Sequence, residues 1–258
     1  MTSSDIRSTP LGPAHLVALA RTAKRNALTD DFCLAISAEL LHVAATTPAR
    51  AILLTGDGGH FCVGGDLAWL WSIRESEGIG AFSERLGAVQ QLIRTVVSLP
   101  LPVIALIPGS AAGFGLDLAL ACDYRIAGST AQLTSAFAKM GLVPDGGSSV
   151  TLRSLVGPGT AFRFLTGGEV LTADAALALG LVDEVVDVAA LEEAGLAFTE
   201  RMAAQPASSV AAIKALLRRP DIEALERGLA AEGLAQRAAV SGTDFAERAH
   251  AFLNRRKS

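Results

Sequence analysis

The chain has 258 residues, enough for one large domain, or one domain with an appendage, around a substantial core. Half of the residues are hydrophobic, 19% are charged and the formal net charge is −4, which leaves no basic field for nucleic acid. No apolar run reaches the ~18 residues of a membrane span, so the mean hydropathy of +0.40 points to burial against other subunits.

The opening "MTSSDIRSTPLG" has no signal-peptide core and no Arg-rich presequence, so a cytoplasmic location is expected. Cys33, Cys62 and Cys122 are odd in number and lack CxxC spacing, as in a cytosolic protein with reduced thiols. His15, His42, His60 and His250 are scattered without ligand spacing, and no metal site is expected.

In chain order, "LVALA" (16–20) predicts a strand, and Asp30 to about Ala45 an amphipathic helix capped by Thr29 or Asp30. "AILLTG" (51–56) predicts a buried strand, followed by the loop "DGGHFCVGGDL" and a helical region over 68–98. After the break "LPLP" (99–102), "VIALI" (103–107) is a second buried strand. It runs through "PGSAAG" into the helix "FGLDLALAC", and "DYRIAG" is a third strand. This alternation argues for an α/β architecture with a partly parallel sheet. Beyond Gly157 the chain reads as helix, interrupted by "GLVDEVVD" (180–187). The expected organisation is a sheet-containing core over 1–195 and a helical C-terminal region over 196–258, covering the active site or a neighbouring subunit.

Two small-residue loops follow buried strands, "GGHFCVGGDL" (58–67) and "PGSAAGFGLDL" (108–118). Loops at the carboxyl ends of strands are where α/β proteins hold ligands. The second leads directly into a helix, whose first N–H groups are free to point at a ligand. Together they suit an oxyanion hole; singly, each reads better as a tight turn. Neither is a GxxxxGK[ST] phosphate loop or a full GxGxxG. Asp145 in "KMGLVPDGGSS" sits in a Pro-Asp-Gly turn, which by itself needs only a turn former. Asp66 reads as a helix cap, Asp123 as a cap or loop lock, Cys62 as a small core or loop residue, and His60 as a solvated loop residue. Glu169 and the cluster Arg255 to Lys257 read as surface charges.

Five segments carry a resemblance to the crotonase superfamily, the enoyl-CoA hydratase/isomerase family: "RNALT" (25–29), "AILLTGDGGHFCVGGDL" (51–67), "PVIALIPGSAAGFGLDLALACDYRIA" (102–127), "GLVPDGGSS" (141–149) and "LTGGEVLTADAALALGLVDEVV" (165–186). They stand in family order over most of the chain. The resemblance implies a spiral of ββα units with a helical C-terminal region that builds trimers or hexamers. It also implies an acyl-CoA substrate, with coenzyme A entering only as part of it, and no metal or redox cofactor. The family's oxyanion donors map to the backbone N–H groups of Gly65 and Phe114, where many relatives have glycine at the second. Arg25, Ala27, Leu28, Val63, Asp66 and Leu67 fall where the family holds coenzyme A, and Lys24 and Arg25 read either as contacts to its phosphates or as a solvated surface face.

Hydratases of the family use two glutamates. The first maps to Asp117 and the second to Phe137, which cannot move a proton. Asp145 falls where isomerase branches carry their acid, and dienoyl-CoA isomerases have acids at the Asp117, Phe137 and Asp145 positions. The resemblance therefore implies an enoyl-CoA or ring-acyl isomerase with Asp145 as proton shuttle. The alternatives are a hydratase using Asp117 with Asp145, and a non-catalytic acyl-CoA-binding protein. A dehalogenase-like branch also has an aspartate at the Asp145 position but needs a helper base, where this chain offers Gln90 and Gln91. An aspartate in an Ala/Leu helix also pairs readily with arginine, so both readings of Asp117 stand.

Overall fold

In the computed structural model, residues 5–76 and 78–255 are described. The strand expected at 16–20 is β2 (Ala14–Leu19), and it is preceded by an unanticipated strand, β1 (Ile6–Leu11). The two pair antiparallel across a tight turn in which Gly12 takes φ +56°, a conformation that costs glycine little. β1 was hard to foresee because "IRSTPL" is polar and contains a proline, as edge strands often do.

From there the chain repeats one unit. A long strand joins a six-stranded sheet, a short strand joins a second sheet, and helix follows. β3 (Ala51–Gly56) and β4 (His60–Cys62) lead to α2 (Leu67–Ser76) and α3 (Gly78–Ser98), after α1 (Asp30–Thr46) has crossed from β2. β5 (Val103–Ile107) and β6 (Ser110–Ala112) lead to α4 (Phe114–Ala121). β7 (Tyr124–Gly128) and β8 (Gln132–Thr134) lead to α5 (Ser148–Gly167). β9 (Leu171–Thr172), α6 (Ala173–Ala178) and β10 (Glu184–Val186) complete the spiral. The large sheet runs β1-β2-β3-β5-β7-β10, parallel throughout except for β1, and the small one runs β4-β6-β8-β9. This is the ββα spiral expected from the five motifs.

Every residue of β3 and β5 is buried, as befits parallel strands covered on both faces. One face packs Val17, Ile52, Leu54 and Ala105 against α1, α3 and α4 in the main core. The other packs Leu53, Ile104 and Leu106 under α7 (Leu191–Ala203), where Tyr124 stacks on Phe198 at 4.2 Å. Residue 195, the expected end of the core, lies inside α7. α8 (Ala207–Ser241) and α9 (Thr243–Arg255) follow.

Helix signals behave as capping chemistry predicts. The Thr29 side chain accepts from Phe32 N–H, and Asp30 and Asp31 occupy the positive first turn of α1. The single helical region expected over 68–98 is two helices, α2 and α3. α5 begins at Ser148, earlier than the expected change of character at Gly157, which instead kinks it with φ +76° ahead of Pro158. Among the described residues no helix is long and apolar enough to cross a membrane.

Candidate active site

A cavity of about 370 Å³ opens where the two glycine loops meet the turn after β8. Its walls include Lys24, Arg25, Ala27, Leu28, Val63, Gly65, Asp66, Leu67, Phe114, Phe137 and Asp145, so one space gathers every site residue expected from the sequence except Asp117. α2 and α3 add Trp69, Phe82 and Leu86, and α9 adds Phe252, which makes the inner wall apolar. A larger hollow, about 530 Å³, lies between α5, α7 and α8. It contains neither glycine loop, and its charged residues are paired, Asp123 with Lys214 and Arg218, and Arg125 with Asp183. The smaller cavity is therefore the candidate site.

Two backbone donors face this cavity for local reasons. Leu28 bridges the first loop by donating to Gly64 C=O and accepting from Asp66 N–H, both at 2.8 Å, which skips the Gly65 N–H between them. The second loop is held by Gly113 N–H to Thr134 C=O at 3.1 Å, and Gly113 turns the chain into α4 with φ +52°. Phe114 is the first helical residue, so its N–H has no partner one turn back. Neither amide donates a hydrogen bond among the described residues. A Cβ on Gly64 would lie 2.8 Å from Ala112 C=O and 3.3 Å from Phe114 N, so the loops touch. A Cβ on Gly65 would meet nothing within 4 Å, as expected of a position that opens on the cavity.

Asn26 was not singled out from the sequence, yet it ties the mouth together. It is buried at φ +59°, and its side-chain N–H₂ group donates to the carbonyls of Asp57, His60 and Phe61. Asparagine is one of the few side chains that tolerates this backbone. Asp66 caps α2 by accepting from Ala68 and Trp69 N–H, and it lies 3.5 Å from the half-exposed Lys24 ammonium. Cys62 donates to Asn26 C=O, and burial pushes its thiol up to about 12, which leaves it a packing residue rather than a nucleophile. His60 is not a solvated loop residue. It belongs to β4, is half-buried, and its Nδ1 is enclosed without a partner among the described residues. Asp123 locks a loop by accepting from Val103 N–H and the Lys214 and Arg218 side chains. Glu169 pairs with Arg163; of the basic cluster Arg255 to Lys257, only the Arg255 backbone, at the end of α9, lies within the described residues.

The Asp145 turn is held from three sides. Asp145 Oδ2 accepts from Gln236 Nε2 at 2.9 Å, and its carbonyl accepts from Gln90 Nε2 at 3.1 Å. Its Oδ1 is enclosed and has no partner among the described residues, although the residue keeps part of its surface on the cavity. Burial raises the acid to about 7; the Gln236 hydrogen bond opposes this and the nearby Glu232 carboxylate adds to it. Asp117 stands behind the turn and does not line the cavity. It is buried, accepts from Gly146 N–H at 3.0 Å and from the Ser148 hydroxyl, and forms no ion pair with an arginine among the described residues. Burial and then Glu232 hold its acid well above the usual carboxylate range.

Glu232 and Gln236 were missed from the sequence. Glu232 accepts from Gly147 N–H at 2.7 Å and Ser149 N–H at 2.8 Å, and Gln236 also accepts from Val143 N–H. A signal was available. Leu225, Leu229, Glu232, Gln236 and Val240 form the buried stripe of α8, and two polar residues in such a stripe call for buried partners.

Two glycine-rich loops, each with a backbone N–H unpaired among the described residues, and the Asp145 carboxyl thus border one largely apolar cavity. A family profile described as enoyl-CoA hydratase/isomerase matches residues 14–258, and the chain belongs to that family. It is 35% identical to a probable enoyl-CoA hydratase of Rhodobacter capsulatus, over 81% of this chain and 79% of that one. It is 31% identical to 1,2-epoxyphenylacetyl-CoA isomerase of Escherichia coli, over 92% and 91% of the two chains. The crystal structure of an enoyl-CoA hydratase from Bacillus halodurans superposes with a TM-score of 0.90 at 26% identity, over 96% of this chain and 100% of that one.

Proposed function

We propose that the protein is an acyl-CoA isomerase that shifts a double bond in an enoyl-CoA or a related ring-acyl thioester. The Gly65 and Phe114 N–H groups bind the thioester oxygen. The Asp145 carboxylate removes a proton from the carbon beside the thioester, the pair of electrons is held as a dienolate, and the same carboxyl group returns the proton two carbons away. The step is redox-neutral and needs no metal or further cofactor. Lys24, Arg25, Ala27, Leu28, Val63, Asp66 and Leu67 hold the coenzyme A portion, and Phe137 helps to enclose the acyl group.

The observation that carries this reading is the Asp145 carboxyl at the wall of an apolar cavity, held there by Gln236 and Gln90. Of the two carboxylates that line the cavity, Asp66 is committed to its cap and to Lys24. Hydration would require a second group to share the water. Phe137 stands at one position where the family supplies it, and Asp117 has its oxygens turned to Gly146 and Ser148.

Purified protein given trans-3-enoyl-CoA and trans-2-enoyl-CoA separately tests the reading. Isomerisation is expected to dominate, and Asp145→Asn is expected to lower its kcat by about a thousandfold. Fast hydration of the 2-enoyl ester, untouched by Asp145→Asn, would sink it. Turnover of neither ester, with coenzyme A esters still raising the Tm, would favour a binding protein.

We also infer a homotrimer or a hexamer. Phe162 on α5 and Leu216, Leu217 and Leu234 on α8 are exposed apolar side chains, of the kind that subunits cover. Sedimentation of the full chain as a monomer would overturn this.

A further inference from the structure

We propose that Gln236 is the positioning residue of the proton transfer: its side-chain amide holds Asp145 Oδ2 and thereby fixes the carboxylate at the cavity wall. The inference rests on the reading of Asp145 as the base. Gln236 is buried, lines the cavity, and spans the turn, donating to Asp145 Oδ2 at 2.9 Å and accepting from Val143 N–H at 3.0 Å. Both ends of one amide are thus used on residues two apart, which fixes the carboxylate in rotation as well as in place.

The groups that bear on Asp145 electrostatically share one sign. They are the carboxyl groups of Asp117 on α4 and Glu232 on α8; the Cys33 thiol on α1, pushed up by burial, and Gln90 on α3 are neutral. Gln236 is therefore the side-chain donor that favours the ionised base. Its loss has a readout that loss of packing alone would not give: the acid limb of the pH–rate profile moves upward.

Rates of trans-3-enoyl-CoA isomerisation between about pH 5 and 9, for wild type, Gln236→Met, Gln236→Glu and Asp145→Asn, test the assignment. Gln236→Met keeps length and removes the donor. It is expected to lower kcat by about tenfold or more with KM within about threefold, and to raise the midpoint of the acid limb by about one pH unit. Gln236→Glu keeps the acceptor for Val143 N–H, which guards the fold, and its added charge is expected to raise the midpoint further. An unmoved midpoint with kcat within about threefold in both variants would overturn the role, as would losses that only track the folded fraction by circular dichroism. Full isomerase activity in Asp145→Asn would overturn the base itself. An inactive Asp145→Asn beside unaffected Gln236 variants would overturn only the role of Gln236.

Discussion

The two sides of the cavity are built on opposite principles. The side that we propose for the oxyanion is local. Gly65 and Phe114 are aimed by backbone geometry within their own loops, through the Leu28 bridge and the turn at Gly113. The Asp145 side is remote. Its turn is held by Asp117, Gln90, Glu232 and Gln236, and Gly147 and Glu232 are 85 residues apart in sequence. Backbone donors make the first side tolerant of side-chain change, which is how phenylalanine can stand at position 114. The second side depends on particular side chains meeting across the fold.

That contrast can be broken by experiment, and the largest effect is expected where a backbone donor is removed outright. Proline is well tolerated at the first helical position, where its missing N–H is unpaired anyway. Phe114→Pro therefore deletes the donor while α4 survives. Phe114→Ala is the control, since it keeps the N–H and loses the same packing, worth about 3 kcal/mol for a buried phenylalanine. Phe114→Pro should fall about a hundredfold in kcat below Phe114→Ala. Equal rates in the two variants would show that the amide is not an oxyanion donor.

The remote side should break differently, through stability and rate together. A Cβ on Gly146 would lie 2.7 Å from Asp117 Cβ, 2.8 Å from its Oδ2 and 2.9 Å from the Phe114 ring. The turn or its supports must move. Gly146→Ala is expected to destabilise by about 1–3 kcal/mol in urea unfolding, with kcat down by about tenfold. A variant with wild-type stability and rate would mean that the turn is not clamped as tightly as its contacts indicate.

The same contrast explains what could be foreseen. The glycine loops and the Pro-Asp-Gly-Gly turn are short-range patterns that the family resemblance brings together, so that Gly65, Phe114 and Asp145 share one cavity could be expected, as could the buried strands Ala51–Gly56 and Val103–Ile107. β1 was not, because a polar edge strand lacks the apolar alternation that marks a strand. The break between α2 and α3 was hidden by apolar residues on both sides of it. Asp117 stood near the site in sequence, but which way its carboxylate turns is decided by Gly146 and Ser148, about thirty residues on. Glu232 and Gln236 were hardest. Their roles exist only once α8 is laid against the turn, and the single hint was polarity within an apolar stripe.

The smallest effect expected is thermodynamic, and it asks whether the remote side stores cost in the folded state. The Asp145 acid is raised to about 7 by burial, so the folded protein holds its proton more tightly than the unfolded chain does. Between the ordinary carboxylate range and about pH 7 the unfolded chain has already released that proton, so this residue makes stability fall as pH rises and adds no penalty below that range. Asp145→Asn removes the ionisation at little change in shape. The variant should match wild type near pH 4 and exceed it at pH 8 by on the order of 1–3 kcal/mol, read as a higher Tm. Glu232 complicates the absolute values, since its charge adds to the rise, but not the difference between the two proteins at each pH. If the two melting curves stay parallel from acid to alkaline pH, Asp145 ionises as freely in the fold as in water. The clamp would then hold the carboxylate without raising its pKa.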